Sequence, residues 1–180
     1  MAEHFGQLND KLSAFIRKQA MYFVGTAGAQ GYVNVSPKGM DSLRIIDNST
    51  VAWLNLTGSG NESAAHVKEN GRMTVMFCSF DKQPLILRLY GKARAVHPRD
   101  DAWDALVGLF PPATGARQVF VLSIDLVQTS CGYAVPHYQF KGERQTLTKW
   151  ADNKGAEGIA DYWAEKNQTS LDGKDTGIFE

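Results

Sequence analysis

A chain of 180 residues, of which 43% are hydrophobic, is within the size of one domain and can bury one sizeable core. Its 19 basic residues balance its 19 acidic residues, so no basic field is available to hold a nucleic-acid backbone. No stretch approaches the roughly 18 apolar residues needed to span a bilayer, and the first residues show no export signal. The two cysteines, Cys78 and Cys131, form neither a CxxC pair nor a disulfide framework. We therefore expect a cytoplasmic protein with reduced thiols that binds neither nucleic acid nor membranes.

The N-terminal third predicts one helix followed by four short strands. Apolar residues recur at helical spacing over residues 8–18, which predicts an amphipathic helix. Two β-rich runs, residues 21–26 and 32–36, are separated by glycines and predict a hairpin. Two more runs, residues 43–46 and 51–56, are joined by an Asp-Asn pair that is typical of a turn.

The middle of the chain predicts a short helix and two long strands. Residues 61–70 suit a helix with Asn61 as its N-cap, and the Asn-Gly pair that follows suits a left-handed exit. Residues 72–80 are apolar enough for a strand buried on both faces, whereas residues 85–96 alternate between apolar and polar side chains. The alternation predicts a half-exposed antiparallel strand.

The C-terminal third predicts a helix, a strand and two weaker helices. Pro98 and the acidic residues after it open a helix that the Pro-Pro pair at 111–112 ends, and residues 119–127 form the last long strand. Weak helical patterns surround Trp150 and Trp163. Six or seven mostly antiparallel strands with a few helices indicate an α+β chain that is mainly β, and closing the sheet into a barrel would remove its exposed edges.

The most informative stretch is an apolar strand that runs through Thr57-Gly58-Ser59-Gly60-Asn61 directly into a helix. Glycines allow close approach of a ligand to the backbone, and the free amides of a first helical turn attract a phosphate. The hydroxyls and the Asn61 amide would add side-chain donors. An ordinary glycine turn with a good N-cap explains the same residues equally well, since neither a P-loop nor a dinucleotide fingerprint is present.

A second feature is Ser36-Pro37-Lys38-Gly39 at the end of the second hairpin strand. Proline restricts the backbone and glycine frees it, so the pattern places Lys38 on a defined turn where its ammonium could meet a phosphate. The alternative is a solvated lysine at a strand end.

The loop from Ser130 to Pro136 gathers small and aromatic residues that could approach a flat ring closely. Cys131 within it could be a nucleophile, but a small packed side chain is the simpler interpretation because no charged neighbour activates it. The four histidines are scattered without metal-ligand spacing, so no metal site is predicted, and no residue is assigned a catalytic role.

Three motifs together resemble the pyridoxamine 5′-phosphate oxidase-like family of FMN-binding split barrels. They are the hairpin ending in SPKG, the run WLNLTGSGNESAAHVKENGRMTVMF from Trp53 to Phe77, and the strand ILRLYGKARAV from Ile86 to Val96. They occur in the order and spacing of the family, and the resemblance covers about residues 15–136. It implies a split β-barrel of antiparallel strands, a tight homodimer, and one FMN per subunit in a cleft between the two chains.

The resemblance also implies roles for individual residues. Lys38 matches the lysine that meets the flavin phosphate, and the segment from Ser130 to Gly132 matches one that faces the ring from the partner subunit. The full set of implied cofactor contacts is Ser36, Pro37, Lys38, Asn55, Leu56, Thr57, Gly58, Ser59, Asn61, Glu62, Ser63, Ser130, Cys131 and Gly132. If this is right, Lys38 and Ser59 must line one shared hollow.

Two departures from the family pattern limit the expectation. The oxidase carries adjacent Arg and Lys at the helix start, where this chain has Ser63 and Ala64, so phosphate binding must depend on Lys38, hydroxyls and helix amides. The Arg- and His-bearing stretch that holds the oxidase's substrate has no counterpart in residues 133–144. Pyridoxamine phosphate oxidation is therefore not predicted.

We expect an FMN-dependent oxidoreductase of unknown substrate, with the cofactor carrying the hydride or electron transfer. The alternatives are a non-catalytic flavin or haem module, with His66, His97 or His137 as axial ligand, and an F420-binding reductase. Residues 1–140 are expected to form the split-barrel domain and residues 141–180 a helical extension packed on it.

Overall fold

A computed structural model describes residues 2–180 as one antiparallel sheet with flanking helices. The strands are β1 (Glu3–Phe5), β2 (Tyr22–Thr26), β3 (Asn34–Lys38), β4 (Leu43–Asp47), β5 (Thr50–Leu56), β6 (Arg72–Cys78), β7 (Ile86–Val96) and β8 (Ala116–Ser130). The helices are α1 (Asp10–Arg17), α2 (Glu62–Asn70), α3 (Trp103–Val107) and α4 (Thr146–Lys166). The mainly β, α+β class predicted from the sequence is confirmed.

The sheet is rolled rather than flat. Its strand order is β3-β2-β6-β7-β8-β5-β4, with β1 added on β8, so four strands lie between β3 and β5. Nevertheless, the Lys38 ammonium of β3 lies 5.0 Å from the ring centroid of Trp53 on β5. Contact between strands so far apart in the order requires the sheet to curl back on itself, as strands do in a barrel. The curvature therefore brings the hairpin end and the glycine turn together.

The core fills the inside of this curved sheet. The alternation of β7 places Leu87 and Leu89 inward with 0% of each side chain exposed, and Phe77 of β6 and Phe120 of β8 pack with them. Each such side chain contributes about 1.5–3 kcal/mol on burial. Helix α1 closes one end with Leu12 and Ile16, and its N-terminus is capped by Asn9, whose side chain accepts from the Leu12 amide at 3.0 Å.

Several predicted elements differ from the observed ones. The N-terminal strand β1 was not predicted, and the predicted last strand is three residues too short at each end relative to β8. The polar pair Arg117-Gln118 interrupts the apolar run at that N-terminal end. The predicted burial of both faces of β6 is wrong, because its side chains alternate between buried and half-exposed. The helix after Pro98 is only the five-residue α3.

The C-terminal segment returns to the barrel. Helix α4 is interrupted at Gly155, whose φ of 65° is left-handed, so the two predicted weak helices are one element with a break. Beyond it, the Arg99 guanidinium donates to the carbonyls of Gly177 and Ile178, both at 2.7 Å. Among the helices of residues 2–180, none has the length and apolar character that crossing a membrane requires.

Candidate functional site

A cavity of about 270 Å³ lies where the end of β3 meets the glycine turn between β5 and α2. Lys38 and Ser59 both line it, so the hollow that the proposed site requires is present. The complete lining is Asn34, Ser36, Lys38, Trp53, Asn55, Leu56, Gly58, Ser59, Gly60, Asn61, Glu62, Ser63 and Arg117.

Lys38 is the last residue of β3 and pairs with Tyr22 across the hairpin. Its neighbour Pro37 is tolerated because β3 is an edge strand, where a missing amide donor costs no sheet hydrogen bond. Burial, and secondarily the positive charge of Arg117, lower the pKa of Lys38 to about 8, while Glu62 opposes this shift. The ammonium is therefore a partly desolvated cation beside another cation, which is an environment that favours an incoming anion.

Arg117 is the second cation and was not predicted from the sequence. It lies at the start of β8 and is only 2% exposed, and burial lowers its pKa to about 10. Its guanidinium donates to neutral acceptors only: the Gln118 side chain at 3.2 Å, the Gly58 carbonyl at 3.4 Å and the Asn167 side chain at 2.6 Å. Within residues 2–180 it forms no ion pair with a carboxylate. A buried charge without a counter-ion is costly, so this site gains stability when an anion binds.

The N-terminus of α2 adds backbone donors. Asn61 occupies the N-cap position, but its side chain makes no capping hydrogen bond, which differs from the capping role predicted for it. Among the described residues, the Glu62 and Ser63 amides have no protein acceptor. At the other end, Gly71 with a φ of 72° ends the helix as predicted. The two free amides and the positive end of the helix dipole face the same cavity as the two cations.

One carboxylate faces these donors. Glu62 lines the cavity and folds back over Gly60, where only a glycine leaves it room. Its negative charge favours the protonated forms of both Lys38 and Arg117 and so raises their pKa values. Glu62 is too far from either cation to form an ion pair in the described chain. It therefore compensates part of the positive charge without occupying the hydrogen-bonding positions.

Two buried polar atoms at the cavity have no hydrogen-bond partner within the described chain. They are Trp53 Nε1 and Asn61 Oδ1, and both residues are 2% exposed. Unpaired buried polar groups are rare because each costs about 1–3 kcal/mol. Their presence in the lining of the cation-rich cavity indicates a place where a polar ligand completes the hydrogen bonding.

Residues 8–131 match the family model described as pyridoxamine 5′-phosphate oxidase, which is more than half of the chain. This chain belongs to the pyridoxamine 5′-phosphate oxidase family. A family protein named ustO from Aspergillus flavus is 35% identical over 189 residues, covering 94% of this chain and 75% of that protein.

Solved structures of low sequence identity share the fold of this family member. HupZ from Group A Streptococcus superposes with a TM-score of 0.55 at 19% identity, covering 68% of this chain and 98% of HupZ. A candidate pyridoxamine 5′-phosphate oxidase from Lactobacillus delbrueckii gives 0.55 at 20% identity, covering 68% and 94%. The rolled antiparallel sheet is thus a split β-barrel, as the sequence resemblance implied.

The cavity of this family member gathers most of the residues named from the sequence. Nine of the fourteen line it, namely Ser36, Lys38, Asn55, Leu56, Gly58, Ser59, Asn61, Glu62 and Ser63. Pro37 instead lines a larger neighbouring cavity of about 950 Å³, which shares Lys38 and is closed by residues 138–150 of the C-terminal part. The two cavities meet at Lys38, so a ligand anchored in the smaller one can extend toward the larger one.

Thr57 does not have the predicted role. Its amide and its hydroxyl both donate to the Gly115 carbonyl, at 2.7 and 2.9 Å, and the hydroxyl also accepts from the Trp163 indole at 2.8 Å. Both of its donors are therefore engaged in holding the turn against the start of β8. The expectation that Thr57 supplies donors to a ligand is wrong, and the residue supports the turn instead.

Ser130, Cys131 and Gly132 lie at the far end of the molecule from the cavity. Arg117 stands near the start of β8 and Ser130 at its end, which at 3.3 Å per residue amounts to about 40 Å along the strand. One chain therefore does not bring these three residues to the site. Their implied role depends on a second subunit.

The most important residues that the sequence left unmarked are Arg117 and Asn167. Arg117 follows Gly115-Ala116 in a stretch interpreted as loop, and Asn167 stands in a polar tail without periodicity. The only available signal was an arginine and a glutamine opening an otherwise apolar strand. Such a polar pair in a buried strand indicates a site and not a solvated surface.

Proposed function

We propose that this protein binds FMN, with its phosphate in the cavity between Lys38, Arg117 and the N-terminus of α2. The observation that carries the proposal is the buried Arg117, which has no carboxylate partner within residues 2–180 and faces the same cavity as a desolvated lysine. Two cations and two free helix amides fit the charge and the acceptor oxygens of a phosphate monoester. Arg117 also takes over the function of the basic residues missing at the start of α2.

The volume of the cavity limits what one chain can hold. At about 270 Å³ it is below the range of about 300–1,000 Å³ that ligand pockets usually span, so it suits the phosphate end of the cofactor better than a whole flavin. We propose that the ring lies outside it, at a homodimer interface, where the partner copy contributes the segment from Ser130 to Gly132. This would give the distant loop the role that the family resemblance implies.

Bound FMN would supply hydride or electron transfer, and the protein would bind and orient it. Lys38 and Arg117 hold the phosphate, and the free amides of Glu62 and Ser63 complete its coordination. The Ser63 hydroxyl is held in place, since it lies 3.3 Å from the Thr26 hydroxyl and accepts from the Asn34 amide at 3.2 Å. The substrate is unassigned, and we assign no side chain as acid or base.

The absorption spectrum of the purified protein, before and after addition of FMN, tests the proposal. A flavin spectrum that saturates at one FMN per chain supports it. The variants Lys38→Met and Arg117→Met should each weaken binding by about 10- to 100-fold, because each removes one charge-assisted contact. Lys82→Met is the matched control, since Lys82 is exposed and lies outside the cavity. A protein that binds no FMN, or variants that bind it as tightly as wild type, would refute the proposal.

The same spectrum separates the alternative cofactors. A haem Soret band would indicate the haem module, and mass spectrometry of a co-purified ligand would identify F420. The structure gives no support to two of the three candidate haem ligands, because His66 and His97 are 0% and 6% exposed and lie inside the fold. His137 is exposed, and one of its ring nitrogens lies 3.3 Å from the Phe80 carbonyl.

A further inference from the structure

Asn167, just beyond the end of α4, makes four hydrogen bonds around the candidate site and is 0% exposed. Its side-chain oxygen accepts from Arg117 at 2.6 Å, and its side-chain nitrogen donates to the Gly58 carbonyl at 3.1 Å. Its backbone carbonyl accepts from the Asn61 side chain at 3.3 Å and from the Thr176 hydroxyl at 2.6 Å. One residue of the C-terminal segment therefore contacts the second cation, the glycine turn and the helix N-cap.

The identity of this residue matters because of its charge. A buried arginine is usually held by a carboxylate, which fixes its position but neutralises it. An amide oxygen can accept the same hydrogen bond without neutralising the guanidinium. Asn167 thus holds Arg117 in place and leaves its full positive charge for a ligand.

We propose that Asn167 is a positioning residue of the cofactor site, which orients Arg117 and the Gly58 turn toward the phosphate while keeping the guanidinium uncompensated. This rests on the proposed function, since the anion is taken to be the FMN phosphate. It makes residues 167–176 part of the binding site and not a peripheral tail. The Thr176 hydroxyl, which is buried and bonded to Asn167, holds the segment in position.

The near-isosteric variant Asn167→Asp separates charge from shape. Its carboxylate would still bond Arg117 but would neutralise it and would place a negative charge beside the phosphate. FMN should bind about 10- to 100-fold more weakly, because the loss is that of one charge-assisted contact. The variant Asn167→Ala removes the hydrogen bonds but adds no charge, so it should lose less affinity than the aspartate variant. Gln168→Glu is the matched control, because it adds the same charge at the next, exposed position.

The order of the two losses decides the outcome. A purely structural role predicts that alanine, which breaks two side-chain hydrogen bonds, weakens binding at least as much as aspartate. That result, or an aspartate variant that binds like wild type, overturns the inference. Thermal unfolding of each variant establishes that it is folded, and the aspartate variant should not melt below the alanine variant.

A parallel titration with inorganic phosphate, followed by the rise in melting temperature, distinguishes this inference from the proposed function. If wild type binds phosphate but not FMN, the proposed cofactor is wrong, and the order of the variants against phosphate still tests Asn167. If wild type binds FMN and the order is reversed, only the role of Asn167 is wrong. If neither ligand binds to wild type, both proposals are refuted.

Discussion

The pH dependence of FMN binding is the sharpest consequence of the site's electrostatics. The pKa of Lys38 is lowered to about 8 in the free protein, first by burial and then by Arg117. The protonated form, which dominates below that pH, is the one that binds phosphate. Affinity should therefore be present below pH 8 and be lost as the pH rises above it. Below about pH 6 the phosphate itself loses its second charge, so the affinity should also fall there.

The size of the loss follows from the contact that disappears. While only the protonated lysine binds, the affinity falls by up to about tenfold per pH unit above the free-protein pKa. The fall ends when the loss equals that of one charge-assisted hydrogen bond, about 1.5–3 kcal/mol, or about 10- to 150-fold in affinity. Arg117 keeps its charge over most of this range, because its lowered pKa is about 10.

Quenching of flavin fluorescence on titration between pH 6 and 9.5, at constant ionic strength, measures this profile. Lys38→Arg should bind without the fall above pH 8, because a guanidinium stays charged throughout. Arg117→Met should bind more weakly and show its fall at higher pH, since the repulsion that lowers the lysine pKa is gone. Riboflavin, which lacks the phosphate, is the control ligand and should show no such dependence. An FMN affinity that is flat from pH 7 to 9.5 in wild type would show that Lys38 does not hold the phosphate.

Three further substitutions test the site and the fold. Glu62→Gln removes the carboxylate that faces the bound phosphate and should tighten FMN binding by about fivefold at low salt, an effect that shrinks with added salt; unchanged or weaker binding contradicts the position assigned to Glu62. Gly91→Ala places a Cβ against the Ser123 carbonyl of the adjacent strand and should cost at least about 2 kcal/mol in thermal unfolding, and a wild-type melting temperature would show that β7 and β8 are not so close. Leu89→Ala empties a fully buried position and should lower the free energy of unfolding in urea by about 2–5 kcal/mol, whereas a loss below 1 kcal/mol is inconsistent with a core position there.

Local patterns accounted for the elements that the chain specifies within itself. The hairpin of β2 and β3, the strand, glycine turn and helix from β5 to α2, and the alternation of β7 all depend on residues close together in sequence. Spacing and turn chemistry are properties of such short segments, so they were predicted close to their observed bounds. The elements that were missed or shortened, β1 and the ends of β8, owe their pairing to distant strands and carry little signal of their own.

The site itself combines both kinds of information. The sequence alone determined that Lys38 follows a hairpin strand and that a glycine turn leads into α2 with free amides. It did not show that β8 pairs with β5, which places Arg117 beside Gly58, nor that the chain returns 50 residues later to hold that arginine with Asn167. These contacts follow from the rolling of the sheet and the docking of the C-terminal segment. The charge and burial of a side chain are set by neighbours that are distant in sequence, so only the tertiary structure decided which cations face the cavity.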